Sequence, residues 1–361
     1  MNANFEQARD FFLRGVGHYE AGEFLPAERE FAASLALLPG RVSTLTNLGA
    51  VRLKLGRVEE AAALLEEALA QEPDNVEALR QHAAAQAELG HHETALATVD
   101  RALRLQPSAA AWTLRGSILR GLGRTADAAD SYRAAASAGG DSELNRFFLA
   151  SLGSGAAPAH APREYVESLF DGYAQEFETH LVQVLKYRGP QILVDGLGPA
   201  PAFDSALDLG CGTGLCGPLL RPLARRLHGV DLSGRMVERA RATGCYDEVL
   251  QADAAAFLAA TQERYDLVVA ADVFVYIGAL DEVFAQAARV IPRGGRLCFS
   301  VELARGGDVL LQPSMRYAHS AGYIHKLAQQ TGFEISATAE HPIREDQGMP
   351  IPGLFAWLSR A

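Results

Sequence analysis

The chain of 361 residues holds 33 Lys and Arg against 44 Asp and Glu, a formal net charge of −11, and is 48% hydrophobic. That length suits two domains, each able to bury a core, and an acidic balance without any Lys/Arg run lacks the electrostatic footprint of a nucleic-acid binder. No uncharged apolar run reaches the roughly 18 residues of a membrane span, and Glu6, Arg9 and Asp10 stand where a signal peptide needs an apolar stretch, so the expected protein is soluble and cytoplasmic.

The first half is periodic. Gly22, Gly56 and Gly90 lie 34 residues apart, as do Ala27, Ala61 and Ala95, and Pro39, Pro73 and Pro107. A fourth unit, slipped by one residue, shows Trp112, Gly116, Gly123, Ala128 and Tyr132. This period and phase resemble the tetratricopeptide repeat. The resemblance implies antiparallel helix pairs, with the small alanine at their crossing and the proline ending the second helix. Four repeats are expected over about residues 5–138, then a capping helix near 142–152, giving a repeat domain over 1–152. His18, Arg52 and Gln86 depart from the repeat, which usually has Tyr there. By phase, Arg9, Phe12, Tyr19, Lys54, Arg80 and Arg120 line the concave face. One reading of that face is a groove for an acidic peptide or protein tail; the other is a generic solvated surface.

Residues 153–162, Gly-Ser-Gly-Ala-Ala-Pro-Ala-His-Ala-Pro, are too small and proline-rich to build a core and read as a semi-flexible linker. Beyond it, Phe170, Tyr173 and Phe177 have the spacing of a helical apolar stripe.

Residues 205–214 are a short apolar run entering Asp208-Leu-Gly-Cys-Gly-Thr-Gly214, followed by a helix-like segment (216–227) and a second strand, Leu227-His-Gly-Val-Asp231-Leu232. A strand, a glycine turn, a helix and an acid at the next strand's tip make a nucleotide-binding unit. Glycines let the backbone pass close to a ligand. The dinucleotide pattern G-x-G-x-x-G fails, because position 215 is Leu215, and no G-x-x-x-x-G-K-[ST] occurs. Gly210, Gly212 and Gly214 with Asp208 two residues ahead resemble motif I of class I S-adenosylmethionine-dependent methyltransferases.

The resemblance covers residues 163–361 and implies a Rossmann-like α/β domain with a mostly parallel, seven-stranded sheet, so the whole chain is expected as an all-α solenoid followed by that fold. It implies S-adenosylmethionine as cofactor, with its methionine part at Asp208, Gly210, Gly212 and Gly214. It puts the ribose at Asp231 and Leu232 and the adenine at Asp253 and Ala254, the end of strand three. The segment 165–178 resembles the Phe-Asp-x-Tyr-Ala helix that lids such sites, which implies Tyr173 on the methionine end. Arg188 is a candidate for the cofactor carboxylate, against a solvated helix-end arginine. Asp272 and Tyr276, at the tip of strand four, face the transferred methyl in this fold. Asp272 is a candidate base or a loop-shaping, cofactor-side residue.

His319, in Arg316-Tyr-Ala-His-Ser320 after strand five, titrates near neutrality and is a candidate base or a hydrogen-bonding loop residue. Arg344 is a candidate for an anionic acceptor, or a surface charge. Cys211, Cys216, Cys245 and Cys298 show no C-x-x-C pair and no zinc spacing, so no metal is expected. A methyl on a positive sulfur is already activated, so the enzyme must align the acceptor and exclude water, which leaves the acceptor unnamed. Three functions stay open. The first is a methyltransferase whose repeats recruit a protein. The second is a small-molecule methyltransferase with repeats for assembly. The third is an inactive, cofactor-binding scaffold.

Overall fold

In the computed structural model, residues 3–140, 142–173, 181, 184–199, 202–346 and 348–361 are described. The chain divides after Ser154 into two compact units.

The first unit is helical throughout. Helices α1 (Ala3–Glu20), α2 (Phe24–Leu37), α3 (Val42–Lys54), α4 (Val58–Gln71), α5 (Val76–Glu88), α6 (His92–Leu105), α7 (Ala109–Gly121) and α8 (Thr125–Ser137) form four hairpins, and α9 (Ser142–Ser151) follows. Each hairpin turns on a left-handed glycine, Gly22, Gly56, Gly90 or Gly123, with φ between 72° and 79°. Within a hairpin the first helix offers a glycine to a large buried side chain of the second. A Cβ on Gly116 would lie 2.5 Å from the Tyr132 ring, and one on Gly49 would lie 2.8 Å from Leu65. The third repeat has Ala83 at that register and the smaller Val99 opposite, so the summed volume is kept. The three departures from tyrosine make polar contacts instead. His18 Nδ1 is 2.5 Å from Glu23, Arg52 donates to Glu28 at 3.1 Å, and Gln86 accepts from Thr98 at 3.0 Å.

The basic residues expected on the first-helix face have neighbours of their own. Arg80 is paired with Glu77 on its own helix at 2.5 Å. Arg120 lies over the Phe148 ring at 5.6 Å, and the Lys54 charge acts on Glu88. All three expected cations past the first helix thus have local partners, two of them carboxylates, so the face is mixed in sign.

The second unit is α/β. Its strands are β1 (Phe203–Leu209), β2 (Ala224–Asp231), β3 (Glu248–Gln251), β4 (Leu267–Ala270), β5 (Arg296–Leu303), β6 (Val309–Leu311), β7 (Tyr317–His319), β8 (Phe333–Asp346) and β9 (Met349–Arg360). Helices α10 (Arg163–Tyr173), α11 (Gly189–Asp195), α12 (Gly217–Leu220), α13 (Gly234–Ala242), α14 (Ala254–Ala260), α15 (Asp281–Val290) and α16 (Ala321–Thr331) accompany them. Parallel pairing runs β3-β2-β1-β4-β5, and β9 joins β5 antiparallel and carries β8. These seven strands match the expected count. Two more, β6 and β7, make nine among the described residues. They are an antiparallel hairpin whose β7 pairs only with the last two residues of β5. The segment read as a loop became strand because Tyr317, Ala318 and His319 are all buried.

Alternation along the strands sends side chains to two cores. Leu207 and Leu209 pack with Phe284 and Phe299 on one face, while Ala206 packs with Leu193, Leu220 and Trp357 on the other. The helix expected over 216–227 is shorter. It ends at Leu220, where Pro222 has no N–H to continue the helical hydrogen bonds, and β2 begins at Ala224.

The linker reading of 153–162 fails in its second part. Ala159 O accepts from the N–H groups of Gly278 and Ala279 at 2.8 and 2.9 Å, and Ala161 N–H donates to Tyr276 O at 2.9 Å. Tyr317 donates to Pro158 O at 2.8 Å. Apolar content does not hold this strap; backbone groups do, and composition does not register them.

Candidate active site

The glycine loop leaves the C-terminal end of β1, at the point where strand order reverses between β1 and β4, the place where open α/β sheets bind ligands. Gly210, Gly212 and Gly214 all have positive φ, 70°, 54° and 97°. At the tip of β2, Asp231 Oδ2 accepts from Gly212 N–H at 2.8 Å and Oδ1 from Ser233 N–H at 2.9 Å. One carboxylate thus fixes both the loop and the start of α13. Burial raises its pKa against those two N–H donors. Leu232 lies beside it, its carbonyl accepting from Gln251 at 3.2 Å.

Asp208 is buried. Tyr246 donates to its Oδ2 at 2.6 Å, and its Oδ1 has no partner. Burial pushes its pKa up to about 7, and the Cys216 thiol faces the same carboxyl. Asp253 caps α14, its Oδ1 accepting from Ala256 N–H at 2.9 Å, with Ala254 next in the helix. Asp208, the glycines, Asp231 and Asp253 therefore stand at the same end of β1, β2 and β3.

Helix α10 ties this end together. Asp171 accepts from the Ser233 hydroxyl at 2.5 Å, and Arg235 donates to the Asp171 carbonyl at 2.9 Å. One residue earlier, Phe170 meets the Tyr276 ring edge-on, centroids 5.4 Å apart. The helix thus reaches from the tip of β2 to the turn after β4. The side chain of Tyr173, and Phe177 entirely, lie outside the described residues.

Past β4 stands an ionic cluster. Asp272, in left-handed backbone at φ 60°, takes two hydrogen bonds from Arg344 at 2.9 and 2.7 Å. Arg344 also donates to Glu302, which accepts from Gln312 at 2.6 Å. Burial raises the Glu302 pKa against the pull of Arg344. Arg316 reaches the Tyr276 hydroxyl beside Asp272 and Glu302. Tyr187 is buried near Asp272, Cys216 and Asp208, and that burial pushes its hydroxyl well above the usual value.

Three candidates are placed otherwise than a role in the reaction needs, His319 and Arg188 as the alternative readings of a hydrogen-bonding histidine and a solvated helix-end arginine had it. His319 is not an open base. Its ring is 0% exposed, its Nε2 lies 3.0 and 2.9 Å from the carbonyls of Ile277 and Gly278, and burial pushes its pKa down to about 4. The β-hairpin turned it inward. Arg188 is exposed at the start of α11, and the buried neighbour is Tyr187. Arg344 is neither a surface charge nor free for an anion, being 3% exposed and held by two carboxylates. Sequence reasoning missed Tyr246 and the pairing of Glu302 with Arg344; both join segments distant in the chain and carry no local pattern. Among the described residues no group of His, Cys, Asp or Glu is placed to hold a metal ion.

A family profile described as a methyltransferase domain matches residues 207–299, and two tetratricopeptide-repeat profiles match 12–76 and 52–118. The chain is similar to methyltransferase-like protein 27 of Homo sapiens, 37% identical over 98 residues, 25% of this chain and 40% of the relative. It is similar to nodulation protein S of Bradyrhizobium diazoefficiens, 32% identical over 119 residues, 33% of this chain and 55% of the relative. It thus spans about half the length of these curated relatives. Among solved structures, the magnesium protoporphyrin IX methyltransferase of Synechocystis PCC 6803 aligns at 21% identity and a TM-score of 0.42, over 57% of this chain and 100% of that one. The chain carries tetratricopeptide repeats in its N-terminal unit and a methyltransferase domain in its C-terminal unit.

Proposed function

We propose that the C-terminal unit binds S-adenosylmethionine and transfers its methyl group to an acceptor, while the repeats bind a protein or peptide. The carrying observation is Asp231, whose two oxygens set the glycine loop and the start of α13 at the tip of β2. The residues fit this cofactor in charge and shape. Asp208 keeps a buried, unpartnered Oδ1 for a cationic N–H donor such as the amino group of the methionine part. Asp231 and Leu232 suit the ribose, and Asp253 and Ala254 the adenine. Gly210, Gly212 and Gly214 let the backbone come close.

S-adenosylmethionine supplies a methyl on a positive sulfur, so the protein's work is placement and exclusion of water. Helix α10 spans the site as a cover. Asp272, locked by Arg344, shapes the turn after β4 rather than moving a proton. Tyr276, held by Arg316, borders the acceptor. His319 supports this turn from beneath through the carbonyls of Ile277 and Gly278. No nucleic-acid partner is proposed, given the net charge of −11. Among the described residues no helix is long and apolar enough to cross a membrane.

The test is calorimetric titration with S-adenosylhomocysteine. Asp231→Ala should lose about 2–3 kcal/mol of binding, roughly 30- to 150-fold; unchanged affinity, or a preference for a nicotinamide dinucleotide, would refute the reading. Label transferred from radioactive S-adenosylmethionine into protein, or into the small-molecule fraction of a lysate, identifies the acceptor class.

A further inference from the structure

One aromatic side chain outside the expected site is built into it with unusual care. Tyr246 follows α13, in the turn before β3. Its ring occupies a slot bounded by three glycines from three separate segments. A Cβ on Gly214 of the loop would lie 3.2 Å from the ring, one on Gly217 of α12 2.8 Å, and one on Gly229 of β2 3.1 Å. Gly229 is the Cα partner of Asp208 in the β1–β2 register. The missing side chain at 229 therefore opens the path by which the Tyr246 hydroxyl reaches Asp208 Oδ2, at 2.6 Å. Of that carboxyl only Oδ1 is left without a partner, and it is buried.

We propose that Tyr246 is a positioning residue for cofactor binding: keyed between Gly214, Gly217 and Gly229, its hydroxyl holds Asp208 ionised and turns the unpartnered Oδ1 toward the cationic amino group of the cofactor. This rests on the reading of the unit as an S-adenosylmethionine site. A hydrogen bond donated to a carboxylate favours its charged form. The other groups facing Asp208 are Cys216 at the start of α12, Cys211 in the loop, Asp231 at the end of β2, and Tyr187 before α11. Among these only the Cys216 thiol joins Tyr246 in favouring the ionised form, while Asp231 and burial oppose it. Near neutral pH the site thus stands at the edge of losing its charge, and the phenol holds it on the charged side.

The experiment titrates the full-length protein with S-adenosylhomocysteine from about pH 6 to about pH 8.5. In the native protein, affinity should rise with pH as Asp208 ionises. Tyr246→Phe keeps the ring and loses the donor. It should move that rise upward by about one pH unit, weakening binding about fivefold near pH 7 and far less near pH 8.5. Gly217→Ala, which pushes on the ring from α12, should shift the rise in the same direction. Asp208→Asn should abolish it. A Tyr246→Phe profile that is unmoved, or weakened by one factor at every pH, overturns the proposal. So does an Asp208→Asn variant that keeps the rise, or a Gly217→Ala variant weakened equally throughout. A native protein that binds at no pH overturns instead the reading of the unit, and this role with it.

Discussion

Glycines in the two units do different jobs, and the contrast shows where each fold keeps its information. In the repeats Gly22, Gly56, Gly90 and Gly123 turn the chain into open space. Gly49 and Gly116 admit a side chain sixteen residues on, Leu65 and Tyr132. Every contact is short-range and recurs. In the α/β unit the glycine slots admit side chains from remote segments, Val273 against Gly210 and Trp357 against Gly196. The first unit is written locally and repeatedly, the second once and at long range. Substitutions in the second should therefore be severe and confined to it, and those in the first mild and shared out along the solenoid.

The largest expected effect is at Arg344. Arg344→Ala leaves Asp272 and Glu302 buried without their cation and should cost about 3–5 kcal/mol. Each unit holds one tryptophan, Trp112 or Trp357, so urea unfolding read by Trp357 fluorescence in a Trp112→Phe background isolates the α/β unit. A loss under about 1 kcal/mol would mean that the cluster is solvated.

Next comes pH. His319 folds with its pKa pushed down to about 4, so the unfolded chain, at about 6.5, binds the extra proton between these values. Its contribution is full above about pH 6.5 and is lost as pH falls toward 4. Asp208 folds with its pKa pushed up to about 7, against about 3.9 unfolded, so its contribution runs the other way and is lost as pH rises from about 4 to 7. The two slopes, each about 1 kcal/mol per pH unit, oppose one another. Asp208→Asn should make stability climb steeply from pH 5 to about pH 6.5, and His319→Gln should make it decline. Equal slopes in both variants would show that neither group is buried as described.

A smaller effect is expected at Gly116→Ala. Overpacking against Tyr132 costs about 1–3 kcal/mol, and alanine's helix preference returns about 1. The net loss of about 1 kcal/mol should appear in Trp112 fluorescence and leave Trp357 unchanged. An effect on both would mean that the two units unfold together. The smallest is Arg188→Ala, an exposed residue, which should change S-adenosylhomocysteine affinity by less than about 0.5 kcal/mol. A tenfold loss would restore Arg188 to the site.

The same contrast explains what the sequence made legible. The repeats and the glycine loop with Asp231 follow from spacing alone, because period and strand–turn–helix order are local signals. The hairpin at 309–319 did not, since its strands are three residues each and pair only with the end of β5. His319 was misjudged for that reason: a histidine among polar neighbours reads as exposed, and only the pairing turned it inward. Arg344 looked like a loop charge because its partners Asp272 and Glu302 lie 72 and 42 residues away.

The strap at 158–161 bears on how such a protein can be assembled from modules. A cut placed at Arg163, where the composition changes, strips Gly278, Ala279, Tyr276 and Tyr317 of their backbone partners at the turn after β4. A cut before Pro158 keeps all four. The short run 153–157 is therefore the place where a cut leaves these contacts intact. A cut only a few residues downstream would fray the turn after β4.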